Sequence, residues 1–292
     1  MLMLLPQLIV SGIATGMLYA LIALSMTVVY RATTVVNFGH GDLVMAGAYA
    51  VLVFSINFSL PFVPALVLSL ALLFAMGVFI QRVLVQPILH GPHLSLAMMA
   101  IAAGYALRGA ARLEWGQEVL TIPRPYPQDT FVVGNVVFTM DELVIACTVL
   151  VLLSALFVVF HLTKAGRIIQ AIFQTQRGAS LVGINVHAYH NVLWGVGASL
   201  GAVGGALLAL IVLVSPDMGV WTLVRGFAAM TLGGFGSLHG AVIGGLLLGV
   251  LEKLLGFYVS TAFIDITAYM VTILVLLVRP QGLFGQHATL RI

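Results

Sequence analysis

Residues 8–30 read LIVSGIATGMLYALIALSMTVVY, and this run decides the fold. It contains no charged side chain, and about 20 apolar residues are enough for a helix to cross the hydrocarbon layer. The competing reading is a secretory signal. It fails because no Lys or Arg precedes Arg31, so the positive n-region is missing, and because the apolar run is too long. The first positive charge follows the run, which places the N-terminus outside and Arg31 on the cytoplasmic face.

The rest of the chain repeats the pattern. Of 292 residues, 61% are hydrophobic and 7% charged, against about 25% charged in soluble domains. Further apolar windows cover residues 41–58, 62–82, 93–112, 141–161, 188–214, 241–257 and 262–279. A shorter piece, 225–237, closes on Gly233-Gly234-Phe235-Gly236-Ser237 and reads as a broken crossing or a re-entrant half-helix. If it crosses, Arg31, Arg82, Lys164, Arg167, Arg177, Arg279 and Arg291 share the cytoplasmic side. Glu114, Glu118, Asp129, Asp141, Glu142, Asp217 and Asp265 then fall outside. That bias follows the positive-inside rule, so the crossing is preferred and the C-terminus is cytoplasmic. The expectation is an all-α polytopic membrane protein, residues 1–292 forming a single domain with eight or nine transmembrane helices.

Two loops stand out. The outer loop, 113–140, holds three prolines and then Phe131-Val132-Val133-Gly134-Asn135-Val136-Val137-Phe138, where Gly-Asn between alternating apolar residues predicts a hairpin. The cytoplasmic loop, 162–187, spaces apolar residues helically through Gly166–Phe173, and a second short helical run follows from Ala179 to Ile184. Such an element either anchors the loop at the interface or docks a cytoplasmic partner.

Few side chains point to chemistry. Asp42, beside His40 and Asn37, sits just inside a membrane boundary, where an acid serves as a helix cap or as part of a path. Arg108 and Arg112, one turn apart, read as side chains reaching for the interface; the alternative is an electropositive vestibule for a carboxylate. His90/His93 and His187/His190 lack the further ligands that zinc wants. Gly197-Ala198-Ser199-Leu200-Gly201 matches a hydrolase nucleophile pattern, and a protease would pair Ser199 with a histidine such as His239, but Ser199 falls in a helix interior. Neither Lys164 nor Lys253 follows a glycine, so a Walker A loop is missing and any ATPase is another chain. The net charge of +3 reflects a shortage of acids; no basic cluster suits nucleic acid. Asn37-Phe38-Gly39-His40-Gly41 and Phe235-Gly236-Ser237-Leu238-His239-Gly240 echo one another, as the breaks of a parallel structural repeat do.

An ordered set of pieces then carries a resemblance. They are Tyr19–Leu24, Val36–Asp42 with Gly47-Ala48-Tyr49, Gly166-Arg167 with Gly183-Ile184-Asn185, Leu232–Ser237 with Gly240-Ala241 and Gly244-Gly245, and Leu274–Pro280 with Gly282-Leu283. The chain resembles the permease subunits of the branched-chain (hydrophobic) amino acid ABC importers, a family that also serves urea, amides and aromatic acids. The resemblance implies a bacterial inner-membrane complex of two permease chains, two cytoplasmic ATPases that carry ATP and Mg, and a periplasmic binding protein, with no cofactor in this chain. It assigns Gly166, Arg167, Gln170, Ala171, Gln176, Ala179, Gly183, Ile184 and Asn185 to ATPase coupling, with the small residues expected in the docking footprint and Ala179 expected to face water. It assigns Asn37, Gly39, His40, Gly41, Asp42, Gly233, Gly234, Gly236, Ser237 and Gly240 to broken helices along the translocation path. The chain departs from the family at Thr175, Gln176 and Arg177, where acids are usual. A secondary transporter and an intramembrane serine protease are the readings of another class.

Overall fold

The computed structural model describes residues 4–89, 91–134 and 136–285. His90, Asn135 and Arg291, used above, lie outside the described residues. Among the described residues there are eleven α-helices and one hairpin. Helices α1 (Leu5–Thr33), α2 (His40–Ile56), α3 (Phe62–Phe79) and α4 (His93–Trp115) come first. Strands β1 (Thr130–Val133) and β2 (Val136–Thr139) pair antiparallel, Thr130 opposite Thr139 and Val133 opposite Val136, as the alternating pattern predicts. Next come α5 (Met140–Leu162), α6 (Lys164–Gln174), α7 (Gln176–Leu181) and α8 (Val186–Ile211), then α9 (Met218–Gly233), α10 (Leu238–Tyr258) and α11 (Phe263–Val278).

Among the described residues six stretches are long and apolar enough to cross a membrane: α1, α3 with its extension to Ile88, α4, α5, α8 and α10. Helices α2 and α11 are shorter but apolar. Residues 225–233 of the piece read as 225–237 belong to a longer helix, α9, that starts at Met218, and residues 234–237 form the turn after it. Its first turn lies beside the α4 terminus, where Asp217 pairs with Arg112 at 2.5 Å. The turn after its far end meets Arg31, through the Gly236 carbonyl, at the other end of the bundle. The two ends of the bundle can be called the hairpin end and the α6 end.

Lipid supplies no hydrophobic drive between helices, so tight packing of small faces must hold them together. Helices α1 and α10 run antiparallel along such a seam. A Cβ at Gly16 or Gly249 would strike backbone atoms of the opposite helix. Helices α1 and α8 form the centre of the core, both almost wholly buried over Leu18–Val29 and Leu200–Leu210. The hairpin closes its own end. Thr139 and Glu142 form a capping box that starts α5, and Gln7 exchanges hydrogen bonds with the Val137 backbone. In the outer loop, Tyr126 donates to Asp141 at 2.7 Å. Burial first, and that carboxylate second, push the phenol well above its ordinary value.

One polar cluster lies in the apolar core. Arg225 of α9 reaches Glu252 of α10 at 3.4 Å, and Tyr19 of α1 donates to the same carboxylate at 3.0 Å. The guanidinium also bonds Asp265 at 3.1 Å, so α1, α9, α10 and α11 share one charge network. Removing one partner of a buried pair leaves the other charge uncompensated, at a cost of about 3–5 kcal/mol. Glu252→Leu should therefore lower the thermal unfolding midpoint sharply in detergent, and the double substitution Arg225→Leu/Glu252→Leu should recover most of the loss. A single substitution that unfolds at the wild-type temperature would show that the pair is not a fastener.

Candidate functional site

The first candidate element is a break in the helical backbone. Helix α1 ends at Thr33 and is followed by Thr34, whose φ of 58° is left-handed. The chain does not turn back at that level. Residues 34–39 run unwound between α4 and α8, beside Leu96, Met99, Ala100 and Trp194. Helix α2 then starts at His40, level with Ser25 of α1 and Gly201 of α8. At 1.5 Å per residue, Ser25 is roughly 12 Å inside the end of α1. Unwound backbone at membrane depth survives only where protein buries it or water fills a cavity.

Local chemistry explains how the break is tolerated. The Asn37 side-chain oxygen accepts from Gly39 N at 3.0 Å, replacing a lost helical partner. Gly39 lies against the Ala100 carbonyl of α4 and Gly41 against the Gly219 carbonyl of α9, so a Cβ at either would collide with backbone. His40 is fully buried, with Nε2 at 2.7 Å from Ser25 Oγ. Because Ser25 Oγ already donates to the Ile22 carbonyl, the imidazole N–H is the donor in that contact. The sequence pattern NFGHGD thus encodes an Asn-stabilised turn and a closely packed helix start inside the bundle.

Asp42 differs from its sequence reading. Instead of standing near the α6 end, it faces Arg108 at 2.7 Å, closer to the hairpin end, and both side chains are largely buried. Arg108 therefore does not reach for the interface; it neutralises an acid. Arg112 pairs with Asp217 close by, so two opposed pairs line this side of α4. The signal for this was present in the sequence. Arg108, Arg225, Asp42 and Glu252 all fall in apolar windows, where an unpaired charge is expensive.

The second glycine cluster is a corner at the α6 end. A Cβ at Gly233 or Gly240 would strike the backbone of the other. Gly234 (φ 107°) and Gly236 (φ 77°) make the turn, and Ser237 caps α10 by accepting from Gly240 N. The chain after α11 packs on it, with Leu283 N donating to the Leu232 carbonyl. The two echoing motifs therefore sit at different depths, one inside the bundle and one at its end.

The element between α5 and α8 is only partly a free surface. Gly166 is buried in the bend where α6 folds back on Val159 and Phe160, and Gln170 donates to the Phe160 carbonyl at 2.7 Å. Ala179, expected to face water, is 2% exposed. Gly183 ends α7 with a left-handed φ of 83°, and Asn185 caps α8 by accepting from Ala188 N. Ile184 and Ala171 are half-buried, whereas Arg167 and Gln176 are exposed. The small residues shape the element. What they leave outside is Leu181 at 81% and Val182 at 76% exposure, an apolar step that sequence analysis missed. Ser199 is committed elsewhere, donating to the Leu70 carbonyl at 3.0 Å.

This geometry has relatives. Residues 8–278 match the family described as branched-chain amino acid transport system / permease component. The chain is 32% identical to the high-affinity branched-chain amino acid transport system permease protein LivH of Salmonella typhimurium, over 94% of each chain. It is equally 32% identical to the corresponding protein BraD of Pseudomonas aeruginosa, over 96% of this chain and 95% of that one. A probable LivH of Methanocaldococcus jannaschii is 27% identical over 92% of this chain and 89% of that one. Among solved structures, PsaBC from Streptococcus pneumoniae in complex with Fab superposes with TM-score 0.51 over 93% of this chain and 91% of that chain, at 14% identity, which speaks for the fold alone. With a helical bundle of spanning length, a backbone break at its centre and a family match from end to end, the chain belongs to the permease components of branched-chain amino acid transport systems, as a transport subunit and not a catalytic one.

Proposed function

We propose that this chain forms half of the translocation path of an ABC importer for branched-chain or related hydrophobic amino acids, delivered by a periplasmic binding protein. Two permease chains and two cytoplasmic ATPases complete the assembly. What its relatives are named for supports the substrate class. The observation that carries the coupling is the exposed step Leu181–Val182, beside Arg177 and Gln176, on the short helical element between α5 and α8. A helix seated in a groove of another protein buries such side chains.

The orientation follows from charge. Arg31, Lys164, Arg167, Arg177 and Arg279 gather at the α6 end, while Glu114, Glu118, Asp129, Glu142 and Asp217 gather at the hairpin end. By the positive-inside rule the α6 end faces the cytoplasm, and both the N-terminus and the hairpin face the periplasm. On that reading α9 crosses, and there are nine passes.

The path itself runs by the break at 34–39. Phe38 is exposed there and meets Phe227 of α9 at 6.3 Å between ring centroids, and the Asp42–Arg108 pair stands on the periplasmic side of it. A two-chain complex places such exposed residues toward the partner and the path between them.

Fully burying a Leu or Val contributes about 1.5–3 kcal/mol, which is tenfold or more in an equilibrium. Leu181→Asp/Val182→Asp should leave the chain inserted, since neither side chain packs within it, yet weaken co-purification of the ATPases at least tenfold and abolish substrate-stimulated ATP hydrolysis. Wild-type co-purification would make the element an interfacial anchor. Gly39→Ala tests the break. Overpacking costs about 1–3 kcal/mol, so this variant should insert but transport at least tenfold more slowly; unchanged uptake would mean that the contact with α4 is dispensable.

A further inference from the structure

At the α6 end a chamber of about 730 Å³ opens between α1, the foot of α5, α6 and the α9–α10 corner. Its polar lining includes Arg31, His161, Gln170, Gln174, Ser237 and His239. Through Phe160, His161, Leu238 and His239 it is continuous with an apolar groove of about 450 Å³ along α1, α5 and α10, walled by Leu24, Leu153, Phe157 and Ile243. Both volumes fall within the ~300–1,000 Å³ of small-molecule sites.

Among the described residues no acidic side chain lines the chamber, and Arg31 sets its sign of charge. Arg31 is held in place from two sides. Its Nε donates to the Gly236 carbonyl, and its guanidinium lies 4.7 Å from the centroid of Phe173. Among the described residues its Nη groups take part in no hydrogen bond or ion pair. A guanidinium fixed by one edge, with its remaining donors free, suits bidentate contact with a phosphate. His161 Nδ1 donates to the Phe157 carbonyl at 3.1 Å, so Nε2 of the neutral ring is left to accept from a headgroup hydroxyl, and its ring is 5.7 Å from that of His239.

We propose that this composite site binds an anionic glycerophospholipid, the phosphate in the chamber and one acyl chain in the groove. The two halves select the occupant together. A free phosphate would leave the groove unfilled, and a zwitterionic lipid would set its own cation against Arg31. The level is also right: the chamber lies where the helices end, at headgroup depth, and the groove runs inward from it. Because Gln170, Phe173 and Gln174 of α6 form part of the wall, the bound headgroup touches that helix directly.

The test is a native mass-spectrometric titration of the full chain, purified in neutral detergent, with phosphatidylglycerol, phosphatidylcholine of the same acyl chains, and glycerol 3-phosphate. Phosphatidylglycerol should bind at least tenfold more tightly than phosphatidylcholine, and glycerol 3-phosphate should not displace it at equal concentration. Arg31→Gln should erase the preference, as should His161→Ala/His239→Ala, which spares the Arg31–Gly236 bond. Ser154→Trp, which fills the groove, should weaken phosphatidylglycerol at least tenfold. Equal binding of the two lipids, or displacement by glycerol 3-phosphate, would overturn the assignment. So would loss of phosphatidylglycerol when a second copy of the chain binds, which would make the groove a contact between chains.

Discussion

A backbone amide or carbonyl in hydrocarbon must find its partner within the protein, and that constraint governs everything around residues 34–39. Where α1 gives up its helix, the polar groups of the next residues enter the bundle instead of the water beyond it. Asn37 supplies one replacement acceptor and Ser25 holds the imidazole of His40. The neighbours supply room, because Ala100 and Gly104 of α4 and Gly219 of α9 present bare backbone to the incoming chain. Each concession on one helix depends on a small residue on another. The bundle is therefore organised around the break.

Charge obeys the same logic. An ionised side chain in lipid is tolerated only when paired or wetted. Asp42 with Arg108 joins α2 to α4, and Glu252 with Arg225 joins α10 to α9. The pairs fix registers that small-residue seams alone leave free to slide. They sit on different faces of α9, the first beside its start and the second on the side of α10 and α11.

Much of this was legible in the sequence. The run 8–30 fell within Leu5–Thr33, and the alternation at 130–139 gave the hairpin, because both depend on local periodicity. The amphipathic stretch 164–174 was legible for the same reason. What periodicity does not carry is depth. NFGHGD and FGSLHG look alike, yet one starts a helix inside the bundle and the other turns a corner at its end, and only the packed neighbours decide which. That Arg108 needs a partner is legible from its apolar window, but which acid pairs with it is not, since Asp42 is on another helix. Ala179, expected to face water, is buried in its own element, and the residues that element leaves exposed, Leu181 and Val182, are bulky.

Coupling is the claim on which the functional account turns. Asp42 with Arg108 and Glu252 with Arg225 are committed to each other inside the bundle, and the proposed function draws the energy for transport from separate ATPases. Proteoliposomes holding the purified permease chains, with and without the ATPases, test this directly. With lumenal ATP, the ATPases and added binding protein, branched-chain amino acid uptake should proceed with no ion gradient. Uptake by the permease chains alone, driven by a proton or sodium gradient, would contradict the account.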